Sequence, residues 1–477
     1  MRKVHVLFIL AIVSVLYLLI QFFFAKDVSQ HKRQLYEVPN KPKKPYDATD
    51  IISELESHPA DINTAHVSYT DIKLFVKLSK DHGLHLFVVD PVILGQVMSS
   101  NTSHEDCKYL CHSKLVTSFG VLSTGWKSQG FRLEDFKASG FDVISLASND
   151  PRSNVIDSLT HKEIPSHYMF SRSRTHVIHV VVFHERSNSY LWHAPIKWSL
   201  NEVMVVGRSK VKLSDLTFGI NAGAYDKFEV VKVFMDHLQL YAPRYPLVFL
   251  HQVPYSRFIE CNHSRADSFH SNYGISSDPE AFKFKSNARK LLAVAKEILD
   301  QLGIRFWLSS GTCLGWYRQC DIIPYSKDVD IGIWIKDYKS NMISAFEMNA
   351  LQLKHLFGKV EDSFELSFQQ GGLKLDVFFF YTESDYMWNG GTQAKTGNKY
   401  KYIFPKFDLC WTELLDLKVR VPCQTESYIQ ANYGKNWIVP VKEWDWKKSP
   451  PNVRENGRWS TKEWDKVIQL YEINKNE

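Results

Sequence analysis

Two aspartates, Asp328 and Asp330, flank a single valine in the run Asp328-Val329-Asp330-Ile331-Gly332-Ile333-Trp334-Ile335. In an extended strand, residues two apart face the same way, so both carboxylates project from one face while Val329 and Ile331 turn to a core. Carboxylates this close repel unless a cation sits between them. Hard oxygen ligands at this spacing suit Mg²⁺ or Mn²⁺, which would also hold the oxygens of a diphosphate. A third acid, Asp376, lies between Leu375 and Val377 in another apolar strand-like run, Leu373 to Phe380, from which it could reach the same point. It could complete the metal site or take the proton of an attacking hydroxyl, and spacing leaves both roles open.

Upstream, Ser309-Ser310-Gly311-Thr312-Cys313-Leu314-Gly315 joins a short strand, Ile304 to Leu308, to the start of a helix. Such a turn aims backbone N–H groups and the positive helix end at one point, a phosphate cradle built around Gly311 and Thr312. Arg318, Lys327 and Lys374 are the cations best placed in sequence to meet phosphates, followed by Lys395, Lys399 and Lys401. Trp388, Trp411, Trp437, Trp444 and Trp446 could stack on a base or sugar. Alone, an Asp-x-Asp pair is more often a solvated strand face and Gly311 an ordinary turn. Together with a third strand-borne Asp they read as a metal and phosphate site.

The elements that must hold these groups are legible nearby. Apolar Leu291, Leu292, Ala295, Ile298, Leu299 and Leu302 recur at helical spacing, so a helix runs from Pro279 to Leu302, with Ser276, Ser277 and Asp278 as caps and Gly303 as its stop. A second helix is expected around Met342 to Gln352. Toward the N-terminus, β-rich runs at Leu84 to Val89, Phe141 to Leu146 and Val177 to Phe183 alternate with helix-compatible stretches, and mixed β structure fills 202 to 257. His176, His179, His184 and His193 read as hydrogen-bonding fillers of β structure. Acceptor recognition or assembly is the role left for this region.

At 477 residues, 44% hydrophobic and 23% charged, the chain is long enough for roughly two or three globular domains. Disorder, collagen and disulfide miniproteins are excluded. Of the net charge of +6, a surplus of +4 sits in the first fifty residues. The near-neutral body argues against nucleic acid as a partner. Val6 to Ala25 carry no charge and as a helix would rise about 30 Å, enough to span a bilayer. Bulky Phe22, Phe23 and Phe24 at its end argue for an anchor rather than a cleaved signal peptide. Two sequons, at Asn101 and Asn262, could be glycosylated only in a lumen, so the expected topology is type II in the Golgi membrane. The fold class expected is α/β (α+β): a cytosolic tail (1–5), anchor (6–25), Pro- and Lys-rich stem (26–50), N-terminal α/β domain (51–275) and catalytic domain (276–477). Seven cysteines in an oxidising lumen permit disulfides and leave one odd. A local bridge or a pair of free thiols suits Cys107 and Cys111 better than zinc, while Cys313 and Cys320 could be bridged or metal-bound.

The constellation resembles the nucleotidyltransferase fold and, within it, the LicD family of phosphotransferases, which move phosphorylated alcohols from CDP-linked donors. The family's Gly turn, Arg and Pro-aromatic step into an acidic strand appear as Gly311 to Gly315, Arg318, Ile323-Pro324-Tyr325 and Asp328-Val329-Asp330. Its closing Tyr-Gly-x-x-Trp element appears as Tyr433-Gly434-Lys435-Asn436-Trp437, with Pro440. Many members carry one more Asp two residues before the pair, where this chain has Ser326. Longer runs, among them FWLSSGTCLGWYRQC, KLDVFFFY, MWNGGTQAKTG and WDWKKSPPNV, resemble one branch of that family. That resemblance implies a Golgi enzyme transferring ribitol 5-phosphate from CDP-ribitol to an N-acetylgalactosamine of the O-mannosyl glycan on α-dystroglycan, beside other enzymes of the same glycan pathway. Two alternatives share the features read from residues alone: a GT-A glycosyltransferase, which also uses an Asp-x-Asp pair, and a non-catalytic Golgi scaffold.

Overall fold

A computed structural model describes residues 62–99, 107–110, 115–128, 132–152, 163–173, 176–198, 202–276, 278–441 and 443–472. The expected anchor, the stem and the Asn101 sequon lie outside them. No helix among the described residues is long and apolar enough to cross a membrane.

Two nine-stranded sheets dominate. The first draws on β1 (Phe87–Val88), β2 (Val116–Leu122), β3 (Asp142–Asn149), β4 (Glu163–Ser171), β5 (Val177–Arg186), β6 (Tyr190–His193), β9 (Gly223–Asp226), β10 (Val230–Met235) and β11 (Leu238–Pro243). Its order is β10-β11-β1-β2-β5-β4-β3, with β6 pairing β5 and β9; β7 (Met204–Val206) and β8 (Ser209–Val211) form a separate hairpin. The central strand β5, VIHVVVFHER, is buried along nearly its whole length, as a strand covered on both faces must be. Mixed β structure is found over 202 to 257, together with a helix not anticipated there, Pro246–Gln252, which opens on a proline suited to a first helical turn.

The second sheet carries the acidic residues. It is built from β12 (Phe306–Leu308), β13 (Asp328–Trp334), β14 (Gln352–Lys359), β15 (Asp362–Gln370), β16 (Leu373–Thr382), β17 (Tyr386–Gln393), β18 (Asn398–Pro405), β21 (Val453–Arg458) and β22 (Ile468–Leu470), while β19 (Leu409–Leu414) and β20 (Leu417–Pro422) pair apart. The helix Pro279–Gln301 forms as its periodicity demands; the Asp278 side chain accepts from the Glu280 N–H, and Leu291, Leu292, Ala295, Ile298 and Leu299 are buried. The next helix is shorter than expected, Met342–Met348, because the alternating residues from Gln352 onward are claimed by β14.

The β19–β20 hairpin reaches the first sheet. Trp411 donates its N–H to the Arg257 carbonyl and accepts from Ile259, both at 2.8 Å, and the Tyr190 hydroxyl donates to Glu413 at 2.5 Å. Lys418, buried over the Trp411 ring, is paired with Asp226.

A candidate active site on the second sheet

Register brings the acids together. Strands β13 and β16 pair in parallel with Asp330 opposite Asp376 and Asp328 opposite Lys374; β15 adds Ser367 opposite Asp376 and Glu365 opposite Phe378. On β14, Phe357 stands opposite Glu365 and His355 opposite Ser367. Carboxylate oxygens of Asp328, Asp330 and Asp376 all lie within 4.8 Å of one another. Lys374 Nζ reaches Asp376 at 2.6 Å and Asp328 at 3.5 Å.

Each carboxylate is held by neighbours the fold supplies. The helix Ser310–Gln319 starts against Asp330: the Gly311 N–H donates to Oδ2 at 3.0 Å, and the Asp330 N–H donates to the Thr312 hydroxyl at 2.8 Å. Ser326, where many LicD proteins have a further Asp, donates its hydroxyl to Asp328 at 2.9 Å. Ser367 donates to Asp376 at 2.5 Å. Burial, then the neighbouring Asp328 and Asp376 charges, hold the Asp330 carboxyl well above the usual carboxylate range. Burial also raises Asp376, against Lys374 and Ser367, which pull it down. Lys374 is raised despite its burial by Asp376 and Asp328. Three acids served by one lysine leave surplus negative charge, so the residues present suit a divalent cation.

These contacts revise several expectations. The Gly311 N–H and the Thr312 hydroxyl are both engaged with Asp330, so the turn positions the acidic strand. The left-handed backbone angle in the turn belongs to Ser310, at φ 38°. Gly311 is needed for close approach: a Cβ there would stand 3.3 Å from Asp330 Oδ2. Arg318 is buried, hydrogen-bonded to Gln319 Oε1 at 2.9 Å and set over the Phe269 ring, yet still borders the cavity. Lys327 is exposed and does not line it. Neither do Lys399, paired with Asp362 at 2.6 Å, and Lys401, stacked over Trp388 at 4.2 Å. Cys320 is bridged to Cys261 and Cys410 to Cys423, leaving Cys313 a buried free thiol rather than a partner of Cys320.

The cavity over these strands measures about 590 Å³. It is lined by the three acids and by Phe357, Phe378, Val439, Val441, Trp444 and Trp446, with Tyr433 and Trp437 of the closing element among the lining residues. Trp437, Trp444 and Trp446 therefore border the space as expected, whereas Trp388 stacks on Tyr381 and Trp411 packs against Lys418 and Arg420. Sequence reasoning missed Glu365, Ser367 and His355. The signal was present in Ser363-Phe364-Glu365-Leu366-Ser367-Phe368, whose alternation marks a strand with polar groups on one face.

The N-terminal histidines do fill hydrogen-bonding positions. His176 contacts the Thr117 hydroxyl at 3.0 Å, His179 lies between Ser118 and His167, and His184 contacts the Pro165 carbonyl at 2.8 Å. Asn262, of the second sequon, is exposed and caps the helix His263–Tyr273 through its side-chain oxygen, accepting from the Arg265 N–H at 2.9 Å.

A sheet whose parallel β13–β16 pair carries three acids beside a Gly-containing strand-to-helix turn has the parts of a nucleotidyltransferase domain, and residues 303–424 match the family described as LicD/FKTN/FKRP, nucleotidyltransferase domain. A GT-A protein would bring a Rossmann-like parallel half, whereas β13–β16 is the one parallel pair among the described strands of this sheet. Residues 1–289 match the family described as Fukutin N-terminal, and the chain belongs to the fukutin family. It is 50% identical over 409 residues to a human protein named Ribitol-5-phosphate transferase FKTN, covering 84% of this chain and 88% of that one. A Mus musculus protein of the same name is 48% identical over the same lengths. A shorter likeness, 48% over 40 residues and 8% of each chain, is to the human Ribitol 5-phosphate transferase FKRP.

Proposed function

We propose that the chain is a ribitol-5-phosphate transferase that moves ribitol 5-phosphate from CDP-ribitol to an N-acetylgalactosamine of the O-mannosyl glycan on α-dystroglycan and releases CMP. The convergence of Asp328, Asp330 and Asp376 in a cavity also lined by aromatic side chains carries this reading, together with the fukutin-family match. Asp328, Asp330 and Asp376 would hold Mg²⁺ or Mn²⁺, which when bound would neutralise charge on the donor diphosphate. Lys374 adds a cation beside these acids, and Arg318 a buried one at the cavity's border. Gly311 and Thr312 keep Asp330 in place, so the acids are preorganised before donor arrives. Trp437, Trp444 and Trp446 offer flat apolar surface to the cytosine ring or acceptor sugar.

The cellular setting follows from sequence: a tail (1–5), Golgi anchor (6–25) and stem (26–50), with lumenal domains at 51–275 and 276–477 and glycans on Asn101 and Asn262. At Asn262 the capping role uses the side-chain oxygen and leaves the amide nitrogen for a sugar. Fukutin-related protein is a fitting partner in the same pathway. Incubating the purified lumenal body with CDP-ribitol and a phosphorylated O-mannosyl glycopeptide tests the proposal: product heavier by one ribitol phosphate is expected, and an unchanged glycopeptide mass would overturn it.

A further inference from the structure

Asp376 is poorly placed to accept a proton. Its carboxylate already takes a hydrogen bond from Ser367 at 2.5 Å and an ion pair from Lys374 at 2.6 Å, and it belongs to the three-acid cluster. A fourth carboxyl, Glu365, lines the same cavity on β15, two residues before Ser367 and therefore on the same face of the strand. Its side chain has neither a hydrogen bond nor a salt bridge among the described residues. It is flanked in register by Phe357 on β14 and Phe378 on β16, apolar neighbours that cannot satisfy it, and it stands one pleat along from the Asp330–Asp376–Ser367–His355 row. Diagonal neighbours of this kind lie roughly 7–8 Å apart, room for a sugar hydroxyl between Glu365 and the acids.

Resting on the transferase reading above, we infer that Glu365 is the general base that takes the proton of the acceptor hydroxyl, while Asp376 serves the cation site. The step balances: the acceptor oxygen forms a bond to the phosphorus of ribitol 5-phosphate, the bond from that phosphorus to the bridging oxygen breaks, the electron pair leaves on CMP, and the hydroxyl proton passes to the Glu365 carboxylate and then to solvent. Burial, then the Asp376 charge, push the Glu365 carboxyl up to about 8, against Lys374, which lowers it. A base of that strength takes up a hydroxyl proton more readily than an ordinary carboxylate. The charged and titratable groups that line the same cavity are Asp376 and Lys374 on β16, Asp328 and Asp330 on β13, His355 on β14, Tyr402 on β18, and Arg318, Tyr325 and Tyr433. Of these, His355 is the rival titrating base.

The test compares full-length wild type, Glu365→Gln, Glu365→Asp and His355→Gln for CDP-ribitol binding, melting temperature and the pH dependence of transfer. Glu365→Gln should bind CDP-ribitol within about twofold of wild type and melt normally, yet transfer roughly 10²–10⁴-fold more slowly. The acid limb of the wild-type profile, where rate climbs with pH as Glu365 ionises, should vanish in Glu365→Gln, persist in His355→Gln and partly return in Glu365→Asp. Near-normal transfer by Glu365→Gln, an unchanged acid limb, or donor binding lost in step with turnover would each overturn the assignment. Wild-type protein that ignores CDP-ribitol altogether would instead refute the underlying transferase reading, and the inference with it.

Discussion

Gly311 and Asp330 meet at 3.0 Å, backbone N–H to carboxylate, so the first turn of one helix fixes the most buried acid of the neighbouring strand. Because a Cβ at 311 would stand 3.3 Å from that carboxylate oxygen, a side chain there must push Asp330 aside. Gly311→Ala asks Asp330 to give by a few tenths of an ångström and is expected to slow transfer no more than about tenfold, whereas the bulkier Gly311→Val is expected to slow it on the order of 10²-fold, the cost of a displacement near 1 Å at a reacting centre. Melting curves and donor binding measured together check this. Gly311→Val that keeps full activity would show the contact to be incidental.

Neutralising the crowded acids should separate stability from function. In chelator, Asp330→Asn is expected to melt higher than wild type, by on the order of 1–3 kcal/mol, because it removes a buried charge beside Asp328 and Asp376. Added Mn²⁺ should raise the wild-type melting temperature and leave the variant unmoved, while transfer by Asp328→Asn and Asp330→Asn falls to background. A variant less stable than wild type in chelator would contradict the charge argument.

Acid should weaken the N-terminal half. Burial lowers His167 to about 4 and His193 to about 3, and holds His179 well below 6.5. The folded state keeps them neutral while the unfolded chain protonates them below pH 6.5, so the unfolded state binds more protons and stability falls as pH drops from 6.5 toward 4. Each histidine contributes up to ~1.4 kcal/mol per pH unit in that window. Denaturant unfolding at pH 7.5, 6 and 5 measures the slope; flat stability across that range would refute the neutral cluster.

The Cys261–Cys320 bridge closes a sequence separation of 59 residues around the helix that starts at Ser310. Chain-entropy arguments give such a loop about 4 kcal/mol. Cys261→Ser and Cys320→Ser should therefore cost similar stability, and the double variant little more than either single. Additive losses in chemical denaturation would point to separate roles for the two positions.

Much of the site was legible because strand alternation and turn chemistry act locally. Asp328, Asp330 and Asp376 could be found from their own neighbours, and the helix Pro279–Gln301 from its 3.6-residue spacing. Partners set by register were not legible. Glu365 and Ser367 reach the cavity only because β15 pairs with β16 at one offset, and nothing nearby in sequence states that offset. Lys327 looked equivalent to Lys374 by type, but Lys374 lies in a paired strand opposite Asp328 whereas Lys327 precedes the strand and faces solvent. Gly311 stands out in sequence as a turn that would meet phosphate; the anion that meets its N–H in the structure is the protein's own Asp330, a contact that register alone creates.

The most direct test of the site is anomalous diffraction from crystals of the lumenal body grown with Mn²⁺ and CDP-ribitol. One manganese peak should lie among Asp328, Asp330 and Asp376, with the donor diphosphate on the same ion and the cytidine against the Trp437–Trp446 wall. Manganese elsewhere, or a donor bound away from an acid cluster still closed by Lys374, would contradict the assignment.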